Sequence, residues 1–249
     1  MLRVPFTYVA GTLVTAWYAG KAALYSLLRL DSRLCRECDA IQRRWSKAIL
    51  WLAGCRVRVE GGEHLREGGA RIIVCNHQSW FDVFALTAYL PTSVRFVTKA
   101  ELGSVPLFGR AWKGCGHVSI DRSDHAGAIE SLDMAGRRIR DEGLTIVMFA
   151  EGTRSRSGRL QPFKKGAFVL AIQAAAPIVP VGMIGTYQIM PKGSFRFRPG
   201  EIVIRVGEPI QVDELTNEDR DVLRDRTWRA VAELKGKEPE AGMLEDRAS

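Results

Sequence analysis

Ile72-Ile73-Val74-Cys75-Asn76-His77-Gln78-Ser79-Trp80-Phe81-Asp82 joins an apolar run directly to a polar cluster. Consecutive apolar residues without alternation read as a strand covered on both faces. In open α/β sheets, the loop leaving such a strand is where ligands bind. His77 and Asp82 are five apart, about 140° of rotation on an ideal helix, so the two cannot share a helical face. They can meet if His77 lies in the turn and Asp82 in the first helical turn that follows. An Asp that accepts from one imidazole nitrogen fixes the tautomer and leaves the other nitrogen as a general base.

Outward from this run the pattern repeats. Further β-rich segments are expected at 56–60, 94–98, 118–121, 145–149, 178–184 and 201–206, with 71–75 as the strand already named. Helical patterns fall at 82–90, 126–140, 166–176 and 217–234, the last entered through Thr216 as N-cap. Strands alternating with helices predict an α/β fold, a mixed central sheet flanked by helices. The chain divides into residues 1–54, an apolar and basic helical element, residues 55–235, the α/β domain, and a polar tail at 236–249.

A second cluster, Phe149-Ala150-Glu151-Gly152-Thr153-Arg154-Ser155-Arg156-Ser157-Gly158, again comes directly after an apolar strand. Its glycines allow close backbone approach, and its arginines offer forked donors matched to phosphate oxygens. Val118-Ser119-Ile120-Asp121-Arg122 ends a third strand in an Asp-Arg pair. Three strand ends thus supply a base, an arginine and an arginine-rich loop.

Taken together, Asn76-His77-Gln78-Ser79 with Asp82, Gly116 through Ile120-Asp121-Arg122, Glu151-Gly152-Thr153-Arg154, and Ala176-Pro177-Ile178-Val179-Pro180-Val181 resemble the four ordered blocks of the glycerophospholipid acyltransferases. Lys99-Ala100-Glu101-Leu102, Pro106 and Gly109 add to the likeness, which covers residues 50–215 and is greatest to the bacterial enzymes acting on 1-acyl-glycerol-3-phosphate. The resemblance implies that His77 is the base for a free glycerol hydroxyl and that Asp82 orients it. It implies a phosphate site at Arg122, Arg154 and Lys99, with Glu151, Gly152 and Thr153 shaping the same substrate-binding loop. Acyl-coenzyme A or acyl carrier protein would be the thioester co-substrate, with no other cofactor, no metal and no covalent enzyme intermediate. Two positions depart from the family pattern: Ala150 stands where Pro is usual, and Ser119 where an apolar or aromatic residue is common. Relatives acylating lyso-ornithine lipid share these blocks, so that acceptor is the alternative. A more remote alternative is a lipid hydrolase with Ser79 as nucleophile.

The 249 residues carry a formal charge of +8, which would ordinarily raise nucleic acid or an anionic membrane as partner. Residues 1–58 hold ten basic and three acidic side chains, leaving the rest of the chain near neutral at +1. The excess therefore sits beside an apolar run from Val4 to Leu28, interrupted at Lys21, and not on a nucleic-acid reader motif. A segment of that kind either spans a bilayer or lies in one leaflet. Residues 40–53 form a second helix, with Ile41, Trp45, Ile49 and Leu52 on one face and Arg43, Arg44 and Lys47 on the other. That helix either binds a membrane surface or packs on the domain. The positive flank predicts the cytoplasmic face of the cell inner membrane. Cys35 and Cys38, in a Cys-x-x-Cys pair without companions, read as ordinary reduced thiols, and an odd total of five cysteines agrees with a reducing compartment.

Overall fold

The computed structural model describes residues 3–28, 31–66, 68–99, 115–120 and 125–236, together with Gly109 and Trp112. Among the described residues, seven strands form one sheet: β1 (Arg56–Glu60), β2 (Arg71–Cys75), β3 (Val94–Lys99), β4 (Val118–Ile120), β5 (Thr145–Phe149), β6 (Ile178–Ile184) and β7 (Glu201–Val206). Their order is β1-β7-β6-β2-β5-β3-β4. Every neighbouring pair is parallel except β6 and β7, so the expected mixed sheet is what the chain forms. Helices whose bounds lie among the described residues are α1 (Arg3–Leu27), α2 (Asp31–Ala53), α3 (Phe81–Tyr89), α4 (His125–Glu142), α5 (Gly166–Ala174), α6 (Thr186–Ile189) and α7 (Arg220–Lys235). Thr216 forms a capping box with Asp219, but around a short 3₁₀ turn, Asn217–Asp219, that precedes α7. The expected strand 118–121 ends at Ile120, and Asp121 and the tail 237–249 lie outside the described residues.

The strand period of two sorts the core. Ile73, Cys75, Val147, Val179, Val181 and Ile204 face one side, where α3 supplies Phe81, Ala85 and Leu86. Ile72, Val74, Ile146 and Ile178 face the other, against Phe168 and Leu170 of α5 and Trp228 and Val231 of α7. Because β2, β5, β3 and β4 run parallel, their C-terminal ends share one edge. Cys75 stands level with Phe149, and Lys99 with Ile120. That edge carries the residues that follow β2 and β5, beside the last residues of β3 and β4.

Helices α1 and α2 form an antiparallel hairpin. The Thr7 hydroxyl donates to the Leu52 carbonyl at 3.1 Å, the Trp45 indole N–H donates to the Thr15 hydroxyl at 3.0 Å, and Lys21 approaches Glu37 at 3.6 Å. Of the two readings of the second helix, packing on the domain is the one seen. Leu50 and Ala53 enter the core beside α3, and Trp45 meets Phe84 edge to face at 5.3 Å. Arg43, placed by the sequence on the basic face of this helix, turns inward. Its guanidinium donates to the carbonyls of Ala88, Leu90 and Thr92 at 3.4, 2.9 and 3.3 Å. These groups end α3, where carbonyls lack helical partners and a cation is favoured. Arg44 and Lys47 stay exposed, with the Lys47 ammonium 5.6 Å from the Tyr89 ring centre.

No helix among the described residues is long and apolar enough to cross a membrane. What α1 does carry is an exposed stripe at helical spacing: Phe6, Val9, Leu13, Trp17 and Leu24. The reduced-thiol reading of Cys38 is overturned. Cys38 and Cys115, 77 residues apart, are disulfide-bonded and buried, at 0% and 4% exposure. The bond ties α2 to the turn before β4, a long-range pairing that local cysteine spacing cannot reveal. Cys75 is a buried free thiol.

Candidate active site

Asp82 is fully buried in the first turn of α3. Its Oδ2 accepts three hydrogen bonds: from the backbone N–H of Gln78 at 2.7 Å, from that of Ser79 at 2.9 Å, and from His77 Nδ1 at 2.9 Å. The carboxylate thus folds the His77–Ser79 turn around itself and orients the ring with one set of contacts. With Nδ1–H committed to Asp82, Nε2 carries the free lone pair. The Phe149 ring lies 3.8 Å from the imidazole, 18° from parallel, and fixes its plane. His77 and Asp82 meet as their spacing requires.

The turn is clasped from the other side by the loop after β5. Glu151 Oε1 accepts the His77 backbone N–H at 2.7 Å, and the Ser155 N–H donates to the His77 carbonyl at 2.7 Å. Glu151 Oε2 takes the Gln161 side-chain amide at 2.7 Å and its backbone N–H at 3.2 Å. Burial pushes the Glu151 carboxyl up to about 7, against the pull of the His77 and Gln161 N–H groups and the Lys235 ammonium. Burial likewise pushes the Cys75 thiol up, with Asp82 and Glu151 adding to it.

Gly152 and Gly158 both need their glycine. Each has positive φ, 75° and 74°, and a Cβ would fall 2.9 Å from the Lys164 side chain or from the Tyr187 ring. The Gly158 carbonyl accepts from Gln78 Nε2 at 2.8 Å, and the Tyr187 hydroxyl donates to the Arg156 carbonyl at 3.0 Å. Thr153 is exposed, and its Oγ1 accepts from Lys192 Nζ at 2.7 Å. Arg154 is half-buried with its guanidinium 4.9 Å over the Trp80 ring centre. Burial lowers the Arg154 pKa, and Asp82 opposes that shift.

Of the other expected phosphate ligands, Arg122 lies outside the described residues. Lys99 is the last residue of β3, at the same sheet edge, and its side chain is not described. The sequence did not point to Gln161 or Lys192, and it quoted Phe149 and Trp80 without giving either a role. Gln161 sits in an irregular loop ten positions from Glu151, where no periodicity announces a contact.

Beside Arg154 opens a cavity of about 690 Å³ between α1 and the domain, walled by Trp80, Phe81, Phe84, Ile49, Met190 and Phe197. Ser79 has no freedom to act as a nucleophile. Its buried hydroxyl donates to the Met190 carbonyl at 2.7 Å and accepts from the Phe81 N–H at 3.2 Å. The hydrolase alternative therefore falls. Asn76 is also structural: its amide pairs with both the N–H and the carbonyl of Met183, at 2.7 and 2.9 Å, and extends the β2–β6 pairing.

A family model described as Acyltransferase matches residues 56–184. The 1-acyl-sn-glycerol-3-phosphate acyltransferase of Limnanthes douglasii is 40% identical over 168 residues, 68% of this chain and 59% of that protein. The chain thus spans about three fifths of that relative's length. An uncharacterized acyltransferase of Schizosaccharomyces pombe is 34% identical over 236 residues, 92% of this chain and 84% of its own. Among solved structures, the 1-acyl-sn-glycerophosphate (LPA) acyltransferase PlsC of Thermotoga maritima superposes with a TM-score of 0.74. It is 26% identical, with 96% of this chain and 97% of that one covered. A match over more than half of the chain, with relatives aligned along most of it, places this protein in the acyltransferase family.

Proposed function

We propose that the protein transfers a fatty acyl group from a thioester to the sn-2 hydroxyl of 1-acyl-glycerol-3-phosphate, giving phosphatidic acid. The observation that carries this is the His77–Asp82 pair, with Nε2 free, at the sheet edge that also bears Arg154. Nε2 takes the hydroxyl proton as the oxygen attacks the thioester carbonyl. The tetrahedral intermediate then collapses to the new ester, the C–S bond breaks, and the imidazolium returns its proton to the leaving thiolate. Asp82 stabilises the imidazolium between these steps. The donor is acyl-coenzyme A or acyl carrier protein.

Arg154, held over Trp80, binds the acceptor phosphate, and Arg122 and Lys99 complete the cation set. Glu151, Gly152 and Thr153 shape the loop that presents it. The apolar cavity beside Arg154 takes an acyl chain, so headgroup and chain diverge from one point. An acceptor embedded in a bilayer requires an enzyme at the interface. The exposed stripe of α1 supplies that contact by lying in one leaflet. The basic flank draws it to an anionic surface on the cytoplasmic face of the cell inner membrane.

The test is transfer by the full chain in detergent, with lysophosphatidic acid and lyso-ornithine lipid as acceptors, each with both donors. Formation of phosphatidic acid at a rate well above the lyso-ornithine reaction supports the reading. Exclusive use of lyso-ornithine lipid overturns the acceptor assignment.

A further inference from the structure

The two loops flanking His77 concentrate positive charge. Residues 151–165 and 191–198 hold eight basic side chains and a single acidic one, the buried Glu151. All remaining residues from 59 onward hold eighteen basic and twenty-four acidic side chains, a net of −6. The two loops together carry a net of +7 and make a locally positive end.

Within that positive end, the 191–198 loop has a second property. Phe195 is 83% exposed, the most exposed large apolar side chain among the described residues. It is held out by an ordered turn. Gly193 has φ 87°, and the Ser194 hydroxyl accepts the Arg196 N–H and donates to the Arg196 carbonyl, both at 2.9 Å. Phe197 anchors the loop from beneath, buried against Tyr8 at 5.9 Å and Phe81 at 6.2 Å. Arg196 and Arg198 are exposed on either side, and neither has a carboxylate partner among the described residues. The Tyr8 hydroxyl donates to the Phe195 carbonyl, so the turn adjoins the exposed apolar stripe of α1.

An exposed aromatic ring followed in the same loop by two arginines without carboxylate partners, and continuous with an apolar helix face, suits the boundary between acyl chains and anionic headgroups. We infer that residues 191–198 are a second membrane-docking element, in which Phe195 enters the acyl boundary while Arg196 and Arg198 bind the phosphates of anionic lipids. The inference rests on the interfacial reading above and adds to it an anchor within the α/β domain. With α1 on one side and this loop on the other, the cavity mouth faces the bilayer, so the lipid acceptor reaches Arg154 without passing through water.

The experiment is sedimentation of the full chain with phosphatidylcholine vesicles, and with vesicles containing one third phosphatidylglycerol. Arg196→Gln/Arg198→Gln should lose roughly 10- to 30-fold in partitioning onto the anionic vesicles, at about a kilocalorie per basic residue, and under about twofold onto neutral ones. Phe195→Ser should lose about tenfold on both, as expected for one withdrawn aromatic ring. Wild-type-like partitioning by both variants overturns the inference. So does unchanged vesicle binding by the arginine pair with a raised KM for the acyl donor, which would assign the loop to an acidic carrier protein. A wild-type chain that binds neither vesicle overturns the interfacial reading itself. The arginine variant changes only exposed side chains, so its result stands even if Phe195→Ser folds poorly.

Discussion

Glu151 accepts the backbone N–H of His77 at 2.7 Å, so the loop after β5 holds the loop after β2 by a carboxylate that is itself buried. That bond joins the His77 turn to the loop that carries Arg154, so a change in one loop is felt in the other. Gln161 completes the clasp, and the Gln161 carbonyl accepts from the Trp228 indole of α7 at 3.1 Å. The C-terminal helix is thereby connected to the site through two hydrogen bonds and a carboxylate.

The buried Glu151 makes stability depend on pH in a definite direction. Its carboxyl is pushed up to about 7 from an ordinary 4.5. A folded-state pKa above the unfolded one gives a contribution that is full below the unfolded value and lost as pH rises through the folded value. Between pH 4.5 and 7 this group therefore costs the wild type on the order of 3 kcal/mol. Glu151→Gln lacks that titration. Urea unfolding at pH 5 and pH 8 should show the variant gaining on the wild type as pH rises; a constant difference would contradict the burial argument. Activity should still fall, because an amide cannot accept from both His77 and Gln161.

Trp80 and Arg154 act as a pair. Arg154→Gln should raise the KM for a phosphorylated acceptor by roughly 10- to 100-fold with a smaller change in kcat, since a charge-assisted contact is lost from the bound substrate. Trp80→Ala should move the same constant in the same direction by less, and Trp80→Phe should recover most of it. Steady-state kinetics with varied lysophosphatidic acid reads both. Equal KM values for wild type and Arg154→Gln would remove Arg154 from the phosphate site.

Arg43 stabilises the fold. Removing its guanidinium from three carbonyls at the end of α3 should cost about 2 kcal/mol, the usual scale for hydrogen bonds to a charged group. Arg43→Ala should therefore lower the unfolding midpoint and leave vesicle partitioning unchanged. The opposite pattern would return Arg43 to the membrane face.

The Cys38–Cys115 bond closes a loop of 77 residues. Replacing both cysteines with serine should lower stability by about 2–4 kcal/mol. Alkylation of the unfolded protein without reductant should leave two thiols fewer than alkylation after reduction. Recovery of every cysteine as a free thiol would contradict the bond. Burial of both sulfurs shields it from reductants even where free thiols prevail.

Period and strand-end chemistry made the sheet legible. Strands β1, β2, β5, β6 and β7 fall on their expected residues; for β2, β5 and β6 the reason is that apolar runs bounded by polar clusters have one solution when both sheet faces are covered. The His77–Asp82 pair was legible because its five-residue spacing admits only a turn followed by a helix. Arg43 was not. A helical wheel reports which face is basic, but not that a neighbouring helix ends where the guanidinium can reach its carbonyls. Cys38 and Gln161 escaped for the same reason, since their partners are set by tertiary placement 77 and ten residues away. Phe195 follows Gly193 and Ser194 in a turn, where neither strand nor helix period marks it.

The most direct measurement is acyl transfer to lysophosphatidic acid by His77→Ala, made beside wild type with melting temperature and vesicle partitioning as controls. Loss of a positioned general base should lower kcat by about 10²- to 10⁴-fold, with both controls unchanged. A variant that folds, binds vesicles and transfers acyl groups at the wild-type rate would contradict the assignment of His77 as the base.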